Sequence, residues 1–112
     1  MYKTITREDL RAKLDRGEQF NLVNVLSAKA FARAHIPGSE NVPVTEIEQR
    51  APALWQPDEE IVVYCSSFDC NAGPRAAEIL DRLGFTNVYD FEGGLADWED
   101  GGYTVAFFRE AA

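Results

Sequence analysis

Ile61-Val-Val-Tyr-Cys65-Ser-Ser-Phe-Asp-Cys70-Asn-Ala-Gly-Pro-Arg75 decides how this chain is read. Ile61 to Tyr64 is a short apolar, β-branched run, the pattern of a buried strand. Cys65 falls where that strand ends. The residues from Ser66 to Gly73 are small or polar in the main and cannot form a core segment. From Pro74 the spacing becomes helical and continues to Leu83. The order is strand, cysteine, loop, helix. Ligands of open α/β sheets bind at the carboxyl ends of strands, and a helix N-terminus offers free N–H groups to an anion. Loop N–H groups turned inward form a nest, and a nest beside a helix terminus is expected to lower the Cys65 pKa from its free value near ~8.5. A buried core cysteine is the plainer reading, because cysteine is often buried.

The helix start has two readings. With Asn71 as N-cap the helix begins at Ala72. With Gly73 as N-cap, Pro74 takes the first helical position, which its fixed φ favours. The second is preferred, because a residue before proline disfavours the α region.

On both sides of this stretch strands and helices alternate. Tyr2–Ile5 reads as a first strand. Thr6 caps a helix that carries Leu10 and Leu14 on one face and stops at Gly17. Phe20–Val25 is a second strand, with Asn24 near its end. Ser27 caps a short helix to Ala34, His35-Ile-Pro-Gly38 breaks it, and Asn41–Pro43 is extended. Thr45 caps a helix to Leu54, with Glu48 completing a capping box. Phe85–Phe91 is a last strand, followed by a Gly93-Gly94 turn, a short helix through Trp98 and a stop at Gly101-Gly102. Tyr103–Phe108 is apolar enough to pack back on the body. This alternation implies a mainly parallel sheet with helices on both faces.

The 112 residues fit one domain, 1–112. An apolar fraction of 46% argues for a folded globule. No apolar run reaches the ~20 residues of a membrane span, and Met1–Glu8 has no apolar stretch of a signal peptide. A cytoplasmic location follows as the expectation. A net charge of −8 argues against nucleic acid or an anionic membrane as partner. Two cysteines and one distant histidine leave a zinc ligand set short, so neither a metal nor another cofactor is expected.

Several motifs stand together in order: Leu22-Val-Asn-Val-Leu26, His35-Ile-Pro-Gly-Ser-Glu-Asn-Val-Pro43, Val63-Tyr-Cys65, Ala76-Ala77, Gly84-Phe85 and Phe91-Glu-Gly-Gly-Leu-Ala-Asp-Trp98. In this set and spacing the chain resembles a single rhodanese-type domain. The resemblance implies an α/β open sheet of about five mainly parallel strands flanked by helices on both faces. It also implies sulfur transfer. Cys65 would take a sulfane sulfur from thiosulfate or a thiol persulfide, hold it as a persulfide and pass it to a thiophilic acceptor, which can be a protein. The loop residues Ser66, Ser67, Phe68, Asp69, Asn71 and Ala72 would bind the substrate.

The loop departs from the family pattern. The arginine that usually closes it is replaced by Cys70, or by Asn71 if the longer loop of phosphatase and arsenate-reductase relatives is the better guide. The frequent Asp-x-Arg of the second strand is Asn24-Val-Leu26, and Asp69 adds a negative charge. Arg75 is the remaining candidate anion contact. Cys70 has two readings, a thiol that resolves a Cys65 persulfide as a disulfide or a small apolar plug. His35, Trp98 and the Gly93-Gly94 turn read as structural. Phe68 is a lid or partner contact, or a residue tucked under the loop. Sulfur transfer or persulfide carriage is therefore the expected function. The alternatives are a non-catalytic interaction module of the same fold and, more weakly, a cysteine phosphatase or arsenate reductase.

Overall fold

A computed structural model describes residues 1–108. The one-domain expectation for residues 1–112 extends into 109–112, outside the described residues. Ten elements run in the order β1 (Lys3–Thr4), α1 (Arg7–Asp15), β2 (Asn21–Asn24), α2 (Ala28–Arg33), β3 (Glu40–Asn41), α3 (Val44–Leu54), β4 (Ile61–Tyr64), α4 (Ala72–Arg82), β5 (Val88–Phe91) and α5 (Gly94–Asp100). The five strands form one parallel sheet in the order β1-β5-β4-β2-β3. The cysteine strand β4 is its centre, as a run buried at all four positions requires.

Alternation along the strands assigns each side chain a face. Val23, Val25, Ile61, Val63, Cys65 and Val88 share one core with Ile47 and Ala51 of α3 and Ala76, Ala77 and Leu80 of α4. Leu22, Val62, Tyr64 and Phe91 share the other with Leu10 of α1, Ile36 and Trp98 of α5. Both faces are covered, as the alternation of elements implies. Each fully buried Val, Ile or Leu stabilises the fold by roughly 1.5–3 kcal/mol, so the two clusters supply most of the driving force.

The local signals hold at α1 and α2. Asp9 N–H donates to Thr6 Oγ1 at 3.1 Å, and Ala30 N–H to Ser27 Oγ at 3.1 Å. The first three strands are shifted or shortened by one or two residues at their ends, and three further boundaries differ. α3 starts at Val44, so Thr45 lies inside the helix rather than capping it. Val44 N–H is taken by the Val25 carbonyl at 2.9 Å, and Pro43 supplies the first carbonyl, to Glu46 N–H at 2.8 Å. β5 starts at Val88, because Phe85 N–H closes the end of α4 on Leu80 and Thr86 N–H bonds Pro57.

The third difference bears on the site. α4 starts at Ala72 with Asn71 as N-cap, against the preferred Gly73 cap. Proline is tolerated at the third helical position, since N–H groups of the first turn have no partner within the helix. Glycine before it lacks the Cβ that makes the α region costly there. Arg75 N–H then reaches the Asn71 carbonyl at 3.1 Å.

Candidate functional site

Cys65 follows β4 at the carboxyl edge of the sheet and is 2% exposed. Its sulfur accepts the Gly73 N–H at 3.3 Å, from the first turn of α4, and its thiol faces the Cys70 carbonyl at 3.5 Å. The sequence order strand, cysteine, loop and helix thus closes into one turn around the sulfur.

A second helix holds the loop from behind. Leu95 N–H donates to the Cys65 carbonyl at 2.9 Å and Ala96 N–H to the Ser66 carbonyl at 2.8 Å. A trans peptide points its N–H opposite its C=O, so the Ser66 and Ser67 N–H groups face away from α5, and the Ser66 N–H acts on both thiols. This anchoring needs close approach. A Cβ on Gly94 would stand 2.5 Å from the Cys65 carbonyl oxygen and 2.8 Å from Ser66 C and Ser67 N. The Gly93-Gly94 turn is structural, as read, and its structure is part of the loop's.

The two thiols do not ionise alike. Burial pushes the Cys65 thiol up, to about 12, and the adjoining Cys70 adds to this against the Gly73 and Ser66 N–H groups. Cys70 is half-buried, which pushes its pKa up. The Cys65 hydrogen bond, the Ser66 and Ala72 N–H groups and the Ser66 hydroxyl outweigh that and hold it below the ordinary thiol value. The expected lowering at Cys65 is therefore corrected. The nest stabilises a thiolate on Cys70 first, because Cys70 lies nearer solvent and shares the same donors. The two values belong to the pair.

The other predicted residues divide. Ser66, Ser67, Asp69 and Asn71 form the loop, and Ala72 starts α4. Phe68 is 70% exposed rather than tucked under, and it borders a groove of about 370 Å³ with Arg7, Glu92, Gly93 and Asp97. A larger depression, lined by Glu18, Asn21 and Glu60, lies at the amino ends of the strands, the wrong end for Cys65. Arg75 is exposed and lines a depression with Val44, Thr45, Glu48 and Ile79, between α3 and α4. His35 is buried, its Nδ1 2.7 Å from the Phe31 carbonyl and its ring stacked on Phe31 at 3.9 Å, a structural placement. Trp98 is buried and donates to the Thr104 carbonyl at 2.9 Å. The tail packs back as expected where Ala106 pairs with His35, while Phe107 and Phe108 stay largely exposed. Among the described residues no group of three or more His, Cys, Asp or Glu can hold a metal ion, and no helix is long and apolar enough to cross a membrane.

Sequence reasoning missed Asp90. It lies on β5, in register with Val63, and is 1% exposed. Neither carboxylate oxygen has a hydrogen-bond partner among the described residues. A Cβ on Gly73 would stand 2.7 Å from Asp90 Oδ1 and 3.5 Å from Cys65 Sγ. The missed signal was a charge at an inward position of Val88-Tyr-Asp-Phe91.

Known proteins carry the same architecture. YrkF of Bacillus subtilis (strain 168), named as a candidate sulfur carrier protein, is 32% identical over 97 residues, covering 84% of this chain and 49% of its own. The chain thus spans about half the length of that relative. The human thiosulfate:glutathione sulfurtransferase is 30% identical over 108 residues, covering 85% of this chain and 91% of its own. The crystal structure of the BH2092 protein from Bacillus halodurans superposes with a TM-score of 0.87 at 26% identity, over 94% of this chain and 77% of that one. The Rhodanese-like domain profile matches residues 6–101. With its five-stranded parallel sheet and a cysteine at the end of the central strand, the chain belongs to the rhodanese-like domain family.

Proposed function

We propose that this protein is a sulfurtransferase or persulfide carrier that works through Cys65. One observation carries the reading. Cys65 Sγ lies at the end of the central strand with the Gly73 N–H of the α4 N-terminus on it. Donors fixed there favour the negative charge of a persulfide without reorganising. Relatives named as a candidate sulfur carrier and as a thiosulfate:glutathione sulfurtransferase support the same chemistry. A thiol persulfide is the favoured donor. Asp69 adds charge to the loop, and Cys70 stands where the usual loop has its arginine, as Asn71 does where the longer loop of phosphatase and arsenate-reductase relatives has its own.

Cys70 is the resolving thiol of this scheme. Its thiolate attacks the inner sulfur of the Cys65 persulfide in its protonated form, the persulfide S–S bond breaks, and the outer sulfur departs with its proton as hydrosulfide. A Cys65–Cys70 disulfide remains, which a dithiol reduces by exchange. No external oxidant is required.

The test is mass spectrometry after incubation with glutathione persulfide or thiosulfate. Cys65 should gain one sulfur, and a Cys65→Ser chain should gain none there. If no sulfane donor loads Cys65, the reading fails. The exposed Phe68 at the loop tip favours a second reading, a docking module for a partner protein. That reading expects unchanged cellular function in Cys65→Ser and its loss in Phe68→Ser.

A further inference from the structure

Asp90 is a buried acid to which sulfur transfer through Cys65 gives no role. Its side chain lies on the same face of the sheet as Val63 and Val88 and beneath the first turn of α4. The distances of 2.7 Å and 3.5 Å from the Cβ position of Gly73 bound the gap between Asp90 Oδ1 and Cys65 Sγ by their sum. The titratable groups that face Asp90 are Glu92 on the turn after β5, Tyr2 before β1 and Cys65 beyond β4, with Cys70 behind Cys65. All are acids. No lysine, arginine or histidine pairs with Asp90 among the described residues.

Two acids in one desolvated space do not ionise together without cost. Burial first, and then Glu92, pushes Asp90 up to about 7. A persulfide is a stronger acid than its parent thiol, so sulfur loading places on Cys65 a charge that the thiol lacks. A carboxyl whose surroundings raise its pKa can take up a proton when such an anion forms beside it.

We propose that Asp90 and Cys65 share one proton, Asp90 being ionised while Cys65 is a thiol and protonated while Cys65 carries a persulfide anion. The loading step rests on the reading of Cys65 as the sulfur carrier. In it the Cys65 S–H bond breaks and the Asp90 carboxylate takes up one proton, so the pair holds one proton before and after. The Cys65 sulfur bonds to the outer sulfur of a thiol persulfide, and the donor's S–S bond breaks. The donor leaves as a thiol, keeping the proton of its outer sulfur. One negative charge enters with Asp90 and one remains on the Cys65 persulfide. Discharge to an acceptor thiol reverses both changes, Cys65 regaining a proton and Asp90 losing one. Asp90 is a positioning residue here, acting on the ionisation of Cys65 without touching the donor.

The first experiment needs no sulfur donor. Alkylation of Cys65 by iodoacetamide is followed across pH by peptide mapping, in the unsubstituted chain and in Asp90→Asn. Removing the carboxylate should move the Cys65 midpoint about 1–2 pH units lower. An unchanged midpoint in an Asp90→Asn chain that still unfolds cooperatively overturns the proposal. The second uses the unsubstituted chain with ¹³C-labelled aspartate. The Asp90 carboxyl resonance should titrate at least about one pH unit higher after loading with glutathione persulfide than before. An identical titration in loaded and unloaded protein overturns it while leaving sulfur carriage intact. A shifted alkylation midpoint with no sulfur gained on Cys65 supports the shared proton and rejects the carrier reading alone.

Discussion

Replacing Gly94 with alanine tests how the loop is held. Gly94 has φ +62°, in the left-handed region, and its Cβ would stand 2.5 Å from the Cys65 carbonyl oxygen. The conformation alone costs an alanine roughly 1–2 kcal/mol. Relieving the clash requires the loop and α5 to separate, which stretches Leu95 N–H to Cys65 and Ala96 N–H to Ser66. Losing both hydrogen bonds costs roughly 1–3 kcal/mol more. Against a total stability on the order of 5–15 kcal/mol, the variant folds but is weakened by about 2–5 kcal/mol. Gly17→Ala is the matched control, because φ there is +67° and a Cβ meets nothing within 4 Å. It should cost only the conformational part. Urea melts of both variants measure the difference, and iodoacetamide labelling of Cys65 should quicken in Gly94→Ala alone. If the two variants unfold at the same urea concentration, the reasoning that α5 clamps the loop is refuted.

Three further outcomes are expected. Under limiting iodoacetamide at neutral pH, peptide mapping should show Cys70 modified before Cys65, since Cys70 is the more exposed and the more acidic thiol. Asp90 binds its proton more tightly folded than unfolded, its pKa moving from 3.8 to about 7, so stability should fall as pH rises between those values. The loss is at most about 4 kcal/mol, and urea melts should show this slope flattened in Asp90→Asn. Tyr64→Phe should lower stability by roughly 1–3 kcal/mol in thermal or urea unfolding. It strips the buried Ile36 N–H of its acceptor, now at 3.0 Å, and Ser39 of its hydroxyl partner.

Much of this architecture was legible because it rests on local signals. The unbroken Ile61–Tyr64 run marks a central strand, and Thr6 and Ser27 mark helix starts by their side-chain oxygens. What was illegible depends on partners distant in sequence. The start of α4 turned on a sulfur eight residues back that takes the Gly73 N–H, outweighing the preference of proline for a first helical position. The ionisation of the two thiols depends on depth, which neighbouring residue types do not encode. Asp90 escaped notice because its significance arises only when β5 lies beside β4 and α4 covers both.

The clamp from α5 also has a consequence for biosynthesis. Domains acquire structure as the chain emerges from the ribosome, N-terminal parts first. Cys65 and Cys70 emerge well before Leu95 and Ala96, the residues whose N–H groups fix the loop carbonyls. During that interval both thiols belong to an unanchored segment, open to oxidants and to any passing disulfide. Completion of α5 is then also the moment at which Cys65 is withdrawn from unselective chemistry. A chain cut short before residue 94 would carry the reactive sulfur without the geometry that disciplines it.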